Sequence, residues 1–185
     1  IEIAHSLEKA GADVILMATN TMHLVYEKVR ASVSVPVIHI ADPTAEAIKK
    51  AGFDKIALLG TSFTCTHPFY MGRLKEKYGI DTIVPTEEEK AFKNIPSDDL
   101  GLETEEEKKE IQRVIEEELT FDIIKDSSRE YYVNVIKELA RQGAQGVILG
   151  CTEIQMLIKQ EDSPIPVFDT TTLHAMAAVN FALND

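Results

Sequence analysis

The stretch GAQGVILGCTEI, residues 143–154, decides the fold because an apolar run in it is followed at once by four small or polar residues. The run GVIL is short, rich in Val, Ile and Leu, and bounded by glycine, which is typical of a strand buried in a parallel sheet. The residues GCTE, 150–153, follow it where a helix is predicted to begin. Ligands of parallel α/β proteins bind beyond the carboxyl ends of strands. The stretch therefore predicts an α/β fold with a candidate site at this strand end.

A second stretch, GADVILMATNTM at residues 11–22, matches the first without a gap. Gly11 meets Gly143 and Thr19 meets Cys151, and the two preceding helices align as well. A gapless match over one helix–strand–turn unit suggests two related halves. If these halves face each other, Thr19 and Cys151 look into one cleft from opposite sides.

Short apolar runs alternate with helical periodicity along the chain, which is typical of parallel sheets covered on both faces. The predicted strands cover residues 13–17, 35–39, 55–60, 81–85, 146–150 and 166–168. The predicted helices cover residues 21–31, 43–51, 68–78, 103–119, 128–142, 152–158 and 170–183, and an acidic excursion is expected at 87–107. We expect a first α/β domain from residues 1–44 and 165–185 and a second from residues 45–164.

Composition excludes several classes of protein. The chain of 185 residues is 44% hydrophobic and carries a net charge of −12, so it offers no basic surface to nucleic acid or anionic lipid. No apolar run reaches the roughly 18 residues that a membrane helix needs. Its two cysteines, Cys65 and Cys151, lack the spacing of a disulfide framework or a metal site. We expect a cytoplasmic protein without a metal, a nucleic-acid partner or a membrane partner.

The polar residues at the strand ends have two interpretations. Ser, Thr and Asn are favoured helix N-caps, so Thr19 and Asn20 could stand at a βα turn for that reason alone. A thiol at a helix N-terminus gains from the helix dipole, and the pKa of Cys151 could fall below the free value of about 8.5. A free Cys is more often an inert core residue. The residues alone leave both interpretations open.

The segments Thr19-Asn20-Thr21 and Gly150-Cys151-Thr152-Glu153 resemble the two signatures of the aspartate/glutamate racemase family, Cys-Asn-Thr and Gly-Cys-Thr-Glu. The stretches LLGTSFT (58–64), FYMGRL (69–74) and VFDTTTLHA (167–175) are similar to that family as well. The resemblance implies two pseudosymmetric parallel-sheet α/β domains with the substrate between them, no cofactor and a homodimer. The implied substrate is a small acidic amino acid, aspartate or glutamate.

The resemblance also implies roles for particular residues. Thr19 and Cys151 would be catalytic, removing a proton from one face of the substrate α-carbon and delivering one to the other. Glu153 would orient the thiol or meet the substrate ammonium, and His174 would tune Cys151 or line the cleft. The full set of implied substrate-binding residues is Asn20, Thr21, Thr61, Ser62, Thr152, Glu153 and His174.

Two departures from the family pattern qualify these expectations. Thr19 stands where the commoner pattern has Cys, and a hydroxyl is a far weaker acid than a thiol, so we expect unequal handling of the two enantiomers. The same residue keeps two alternatives open: a single-Cys relative of the arylmalonate-decarboxylase or maleate-isomerase type, and a binding protein that has lost turnover. The family's opening strand and glycine-rich loop would lie upstream of Ile1, so we expect the first domain to lack its N-terminal part.

Overall fold

The structure of the protein is a computed structural model that describes residues 1–85 and 108–183. The acidic excursion predicted at 87–107 lies outside the described residues, as does the beginning of the helix predicted at 103–119.

The chain alternates helices and strands from one end to the other. The helices are α1 Glu2–Lys9, α2 Tyr26–Arg30, α3 Ala41–Lys50, α4 Ser62–Thr66, α5 Pro68–Tyr78, α6 Lys108–Arg113, α7 Asp126–Arg141, α8 Ile154–Leu157 and α9 Thr170–Leu183. The strands are β1 Ile15–Leu16, β2 Val37–Ile38, β3 Lys55–Leu59, β4 Asp81–Ile83, β5 Val147–Leu149 and β6 Val167–Asp169. Short 3₁₀ segments cover Thr21–Val25, Leu119–Phe121 and Gln160–Asp162, and a π-helical segment covers Val114–Glu118.

The strands form two parallel sheets, which confirms the predicted α/β class. β1 pairs with β2 in a two-stranded sheet, and the larger sheet has the order β4-β3-β5-β6. Every pairing is parallel. Parallel strands need crossover connections, and the intervening helices supply them.

The larger sheet is covered on both faces, because successive side chains of a strand point to opposite sides. Ala57 and Leu59 of β3 join the core formed with α7, whereas Ile56 and Leu58 join the core formed with α3 and α5. A third cluster, which includes Ile15 of β1, holds the small sheet to α1 and α2. The near-continuous apolar runs of β3 and β5 follow from this two-sided burial.

Some predicted helices keep their boundaries in the structure and others do not. The helices predicted at 68–78 and 170–183 are confirmed as α5 and α9. The helix predicted at 21–31 opens instead as a 3₁₀ segment before α2, and the one predicted at 152–158 is reduced to the four residues Ile154–Leu157.

The predicted domain boundary at residue 165 does not follow the sheet pairing. β6 is hydrogen-bonded to β5, with Ile148 opposite Phe168, and so belongs to the larger sheet. After β6, α9 packs against α3 and β2. We therefore propose that the second domain extends to Asp169 and that α9 returns to the small sheet.

Within the described residues, no helix combines the length and apolar character that crossing a bilayer demands.

Candidate active site

The carboxyl ends of β3, β5 and β6 lie side by side, because these strands are parallel neighbours. β3 and β5 approach closely at Gly60 and Gly150, where the Gly150 amide donates to the Leu59 carbonyl at 2.6 Å. A Cβ atom on Gly150 would lie 2.7 Å from Leu58 Cδ1 and 2.9 Å from the Leu59 oxygen. The residue before Cys151 must therefore be glycine for the strands to pack this closely.

Cys151 lies partly buried at the end of β5 and is paired with a carboxylate. Its thiol donates to Glu153 Oε2 at 2.8 Å, and the Thr152 hydroxyl donates to the same oxygen at 2.8 Å. Burial, followed by the charge and hydrogen bond of Glu153, raises the pKa of Cys151 to about 12. Burial alone would raise the pKa of Glu153 as well, but the hydrogen bonds from Cys151 and Thr152 lower it. At neutral pH the site therefore holds a protonated thiol against an ionised carboxylate.

The expectation that a helix dipole lowers the pKa of Cys151 is wrong. α8 begins only at Ile154, three residues after the thiol, and is four residues long. The carboxylate of Glu153 faces the sulfur directly and disfavours a second negative charge. The contact outweighs the weak field of so short a helix.

Thr19 lies exposed beyond the end of β1, in a turn that His23 holds. The Nδ1–H of the His23 ring donates to the Thr19 carbonyl at 2.9 Å, and its Nε2 accepts the Ile40 amide at 3.1 Å. A single buried ring thus connects the ends of the two strands in the small sheet. The hydroxyl of Thr19 is left at the surface of that turn.

Asn20 is buried and is not a conventional cap. It occupies the N-cap position of the 3₁₀ segment, but its side chain makes no capping hydrogen bond. Its Nδ2 instead donates to Thr170 Oγ1 at 3.2 Å, and its Oδ1 is buried with no hydrogen-bond partner among the described residues. The cap interpretation therefore does not explain this residue.

Thr170 connects the Asn20 turn to the strand that presents Cys151. It follows β6 directly, it is fully buried, and its hydroxyl donates to the Leu149 carbonyl at 2.8 Å. Leu149 is the last residue of β5 and precedes Cys151 by two positions. The structure thus brings the Asn20 turn of the small sheet to the Cys151 edge of the larger one.

Polar groups at the end of β3 make hydrogen bonds within the fold. Thr61 is the N-cap of α4, and its hydroxyl accepts the Thr64 amide at 3.3 Å. The Ser62 amide donates to Gln112 Oε1 at 2.9 Å, which ties α6 to this turn, while the Ser62 side chain is exposed. Thr21, at the start of the 3₁₀ segment, is partly buried.

His174 is one of three buried histidines whose rings lie together. His23 is 4.4 Å from His39 and 5.8 Å from His174 between ring centroids. Burial, as the first cause, lowers the pKa of His23 to about 4 and that of His39 to about 2, and it lowers the pKa of His174 too. The His174 Nε2–H donates to the Ile38 carbonyl at 2.9 Å, so this ring nitrogen is committed to β2 rather than to the open site.

Sequence reasoning missed the contact made by Asp42. Asp42 lies in the first turn of α3, which begins at Ala41. Arg73 donates to its two carboxylate oxygens at 2.6 and 2.8 Å, and Lys77 donates at 2.9 Å. Hydrogen bonds and charge from these bases overcome burial and lower the pKa of Asp42 to about 2. The spacing of Arg73 and Lys77, one turn apart on α5, was the available signal.

Metal ligation has no support in the described ranges. Across residues 1–85 and 108–183, no three His, Cys, Asp or Glu side chains are grouped so that they could hold a metal ion.

Comparison with known proteins places these observations in a family context. The sequence model of the Asp/Glu/hydantoin racemase family matches residues 1–120 and 117–178. The broad-specificity amino-acid racemase of Bacillus subtilis is 37% identical over 75 residues, which is 40% of this chain and 33% of the relative. The glutamate racemase of Aquifex pyrophilus is 25% identical over 100% of this chain and 65% of its own length. The chain thus spans less than two thirds of these two relatives.

Two solved structures are similar to this chain over nearly its whole length. A candidate Asp/Glu racemase from Yersinia pestis superposes with a TM-score of 0.82 at 46% identity, covering 98% of this chain and 71% of its own. An aspartate racemase homologue from Pyrococcus horikoshii gives a TM-score of 0.80 at 38% identity, covering 98% of this chain and 72% of its own.

Proposed function

The chain belongs to the Asp/Glu/hydantoin racemase family, and we propose that it racemises aspartate or glutamate without a cofactor. Thr19 and Cys151 would be the two proton carriers, acting on opposite faces of the α-carbon. The observation that carries the proposal is the Cys151 thiol, which donates at 2.8 Å to the Glu153 carboxylate at the carboxyl edge of the larger sheet. The Thr170 connection to the Asn20 turn supports a position for Thr19 near the same edge.

The Cys151–Glu153 pair would work as one base. A protonated thiol cannot accept a proton, so Cys151 passes its own proton to Glu153 Oε2 as its sulfur takes the proton of the substrate α-carbon. The Thr19 hydroxyl then delivers a proton to the opposite face, and water reprotonates it because Thr19 is exposed. Glu153, which is partly exposed, releases the proton it received to solvent, which restores the starting state. In the reverse direction an alcohol oxygen must take the α-proton, which is the harder step. We therefore expect the two enantiomers to exchange their α-protons with solvent at unequal rates.

Substrate contacts follow from the polar atoms that the site still offers. Asn20 Oδ1 is a buried acceptor without a partner in the described structure, so it would accept a hydrogen bond from the substrate ammonium. Thr21 and Thr152 would contact the α-carboxylate, and Thr61 and Ser62, at the neighbouring end of β3, would meet the far end of the substrate. A homodimer in the cytoplasm goes with this proposal.

The test measures α-proton exchange in heavy water for both enantiomers of aspartate and glutamate. Cys151→Ala should slow exchange by about 100-fold or more, the range seen when a general acid or base is removed. Cys65→Ala is the matched control, because Cys65 lies on α4 with its sulfur 3.8 Å from the Leu58 carbonyl and should keep activity. Exchange that survives in Cys151→Ala, or equal initial rates from the L and D forms, would contradict the proposal.

A second candidate function follows from the single thiol at the two turns. A decarboxylase of arylmalonates or a cis–trans isomerase of maleate needs one catalytic Cys. Cys151 would be that residue, and no second thiol is needed at Thr19. Turnover of such a dicarboxylate without amino-acid exchange would favour this alternative. Binding of an acidic amino acid with no turnover at all would favour a binding protein.

A further inference from the structure

The first turn of α9 contacts both sheets through one hydroxyl. Thr170 Oγ1 has a single proton, which it gives to the Leu149 carbonyl at 2.8 Å, and the same oxygen accepts from Asn20 Nδ2 at 3.2 Å. Thr170 is fully buried, so no water competes for either contact. One oxygen atom therefore joins the end of β5 to the turn that follows β1.

The chain on either side of this oxygen is short and constrained. On the thiol side, Gly150 alone separates Leu149 from Cys151 in the chain. The Gly150 amide donates to the Leu59 carbonyl at 2.6 Å. Toward the hydroxyl, Asn20 is the covalent neighbour of Thr19. Along this path, two hydrogen bonds separate the two proposed proton carriers, and both end on Thr170.

A second contact fixes α9 against the small sheet. His174 lies four residues after Thr170, so the two side chains share one face of the helix. Its ring donates to the Ile38 carbonyl of β2 at 2.9 Å. Because α9 is held at both places, the Thr170 hydroxyl keeps the two turns at a defined distance, and a change in one of its two contacts affects the other.

We propose that Thr170 is a positioning residue that couples the Asn20 turn to the Cys151 turn and sets the distance across which a proton is moved. The functional part of this statement rests on the proposed racemase activity. The coupling itself is a property of the fold and is measurable without any turnover.

A double-mutant cycle on thiol reactivity tests the coupling. In a Cys65→Ser background, which leaves Cys151 as the only cysteine, we expect Asn20→Ala to change the rate of Cys151 alkylation by iodoacetamide by about twofold or more. In Thr170→Val, which keeps the shape and removes the hydroxyl, the same Asn20→Ala change should have no further effect. Thr170→Ser should restore the coupling.

Stability is controlled with another buried threonine. Thr44 is fully buried and donates to the carbonyl of Ile40, the residue before α3, so its hydroxyl takes no part in the path from Asn20 through Thr170 to Leu149. Thr44→Val should therefore lower the thermal midpoint about as much as Thr170→Val while leaving the Asn20 effect intact. Thr170→Ala replaces Thr170→Val in the cycle if the latter does not fold.

The outcomes separate this proposal from the activity. An Asn20→Ala effect of equal size with and without the Thr170 hydroxyl overturns the coupling, whatever the protein catalyses. Coupling without exchange of any acidic amino acid supports the structural coupling and overturns the racemase proposal. If both hold, Thr170→Val should lower kcat for exchange about tenfold with KM changed less than twofold, and Thr170→Ser should recover it.

Discussion

At the scale of single residues, the site is defined by a thiol that is kept protonated. Cys151 is partly buried and shares Glu153 Oε2 with the Thr152 hydroxyl, both at 2.8 Å. A carboxylate in this position makes a free thiolate costly but gives the departing proton an immediate destination. The arrangement suits a group that must hold and move a proton, and it suits a nucleophile less well.

Neutralising Glu153 should make Cys151 more reactive toward alkylation. Glu153→Gln removes a negative charge beside the sulfur, so the pKa of Cys151 should fall from about 12 although burial continues to raise it. The rate of Cys151 alkylation at pH 8, measured in a Cys65→Ser background, should therefore rise severalfold, whereas α-proton exchange should fall.

Glu161→Gln serves as the matched control, because Glu161 is exposed in the 3₁₀ segment that follows α8. An unchanged alkylation rate in Glu153→Gln would show that burial alone sets the pKa of the thiol.

At the scale of the elements, the close contact between β3 and β5 positions the thiol. Gly150 has no room for a side chain, since a Cβ atom would meet the Leu59 carbonyl at 2.9 Å and Leu58 Cδ1 at 2.7 Å. The neighbouring strand therefore restricts the backbone of β5 immediately before the Cys151 turn.

Gly150→Ala should destabilise the protein by about 1–3 kcal/mol, the usual range for overpacking a core, and should slow exchange as well. Gly72→Ala is a control with the opposite sign. Its Cβ would meet Pro68 at an ordinary 3.5 Å in the middle of α5, and replacing a helical glycine by alanine stabilises by about 0.5–1 kcal/mol. Urea unfolding of both variants measures the difference, and equal effects at the two sites would refute this account of the β3–β5 contact.

The success of sequence reasoning varied with the range of the interaction. α5 and α9 could be predicted to the residue, because proline marks the first position of α5, and the Asp169 carboxylate accepts the Thr171 and Thr172 amides at the start of α9. The pairing of β6 with β5 and the contact from Asn20 to Thr170 were not predictable, since each joins segments distant in sequence. The direction of the Cys151 pKa shift was also beyond reach, because it depends on the burial of the thiol and on its contact with Glu153.

At the scale of the whole molecule, three neutral histidines lie where the small sheet meets α9. His23, His39 and His174 are buried, and each donates to or accepts from a backbone group near β1 or β2. In the unfolded chain the same rings titrate near the ordinary pKa of about 6.5. As the pH falls, these histidines therefore favour the unfolded chain at a higher pH than the one at which carboxylates protonate.

The free energy of unfolding should fall as the pH drops below about 6.5. The folded-state pKa of His39 is lowered to about 2, so below pH 6.5 the unfolded chain binds a proton that the folded chain does not. His39 alone accounts for a loss of about 2 kcal/mol between pH 8 and pH 5. His39→Asn, whose side-chain oxygen can still accept the Ala41 amide, should remove that part of the pH dependence in urea unfolding.

His67→Asn is the control, since His67 is stacked on Phe63 and lies outside the three-histidine group. A pH dependence that is identical in the wild type and in His39→Asn would rule out this histidine as its source.

The two cores on opposite faces of the larger sheet can be redesigned separately. Val135 and Leu139 of α7 belong to one core, and Ile48 and Leu74 belong to the other, with no residue in common. Redesign around Ile48 and Leu74 can therefore raise the melting temperature without repacking the α7 core, against which Cys151 lies. Thermal reinforcement of that more distant core would let costly substitutions around the thiol be assayed in folded protein, so that changed turnover is read as chemistry and not as unfolding.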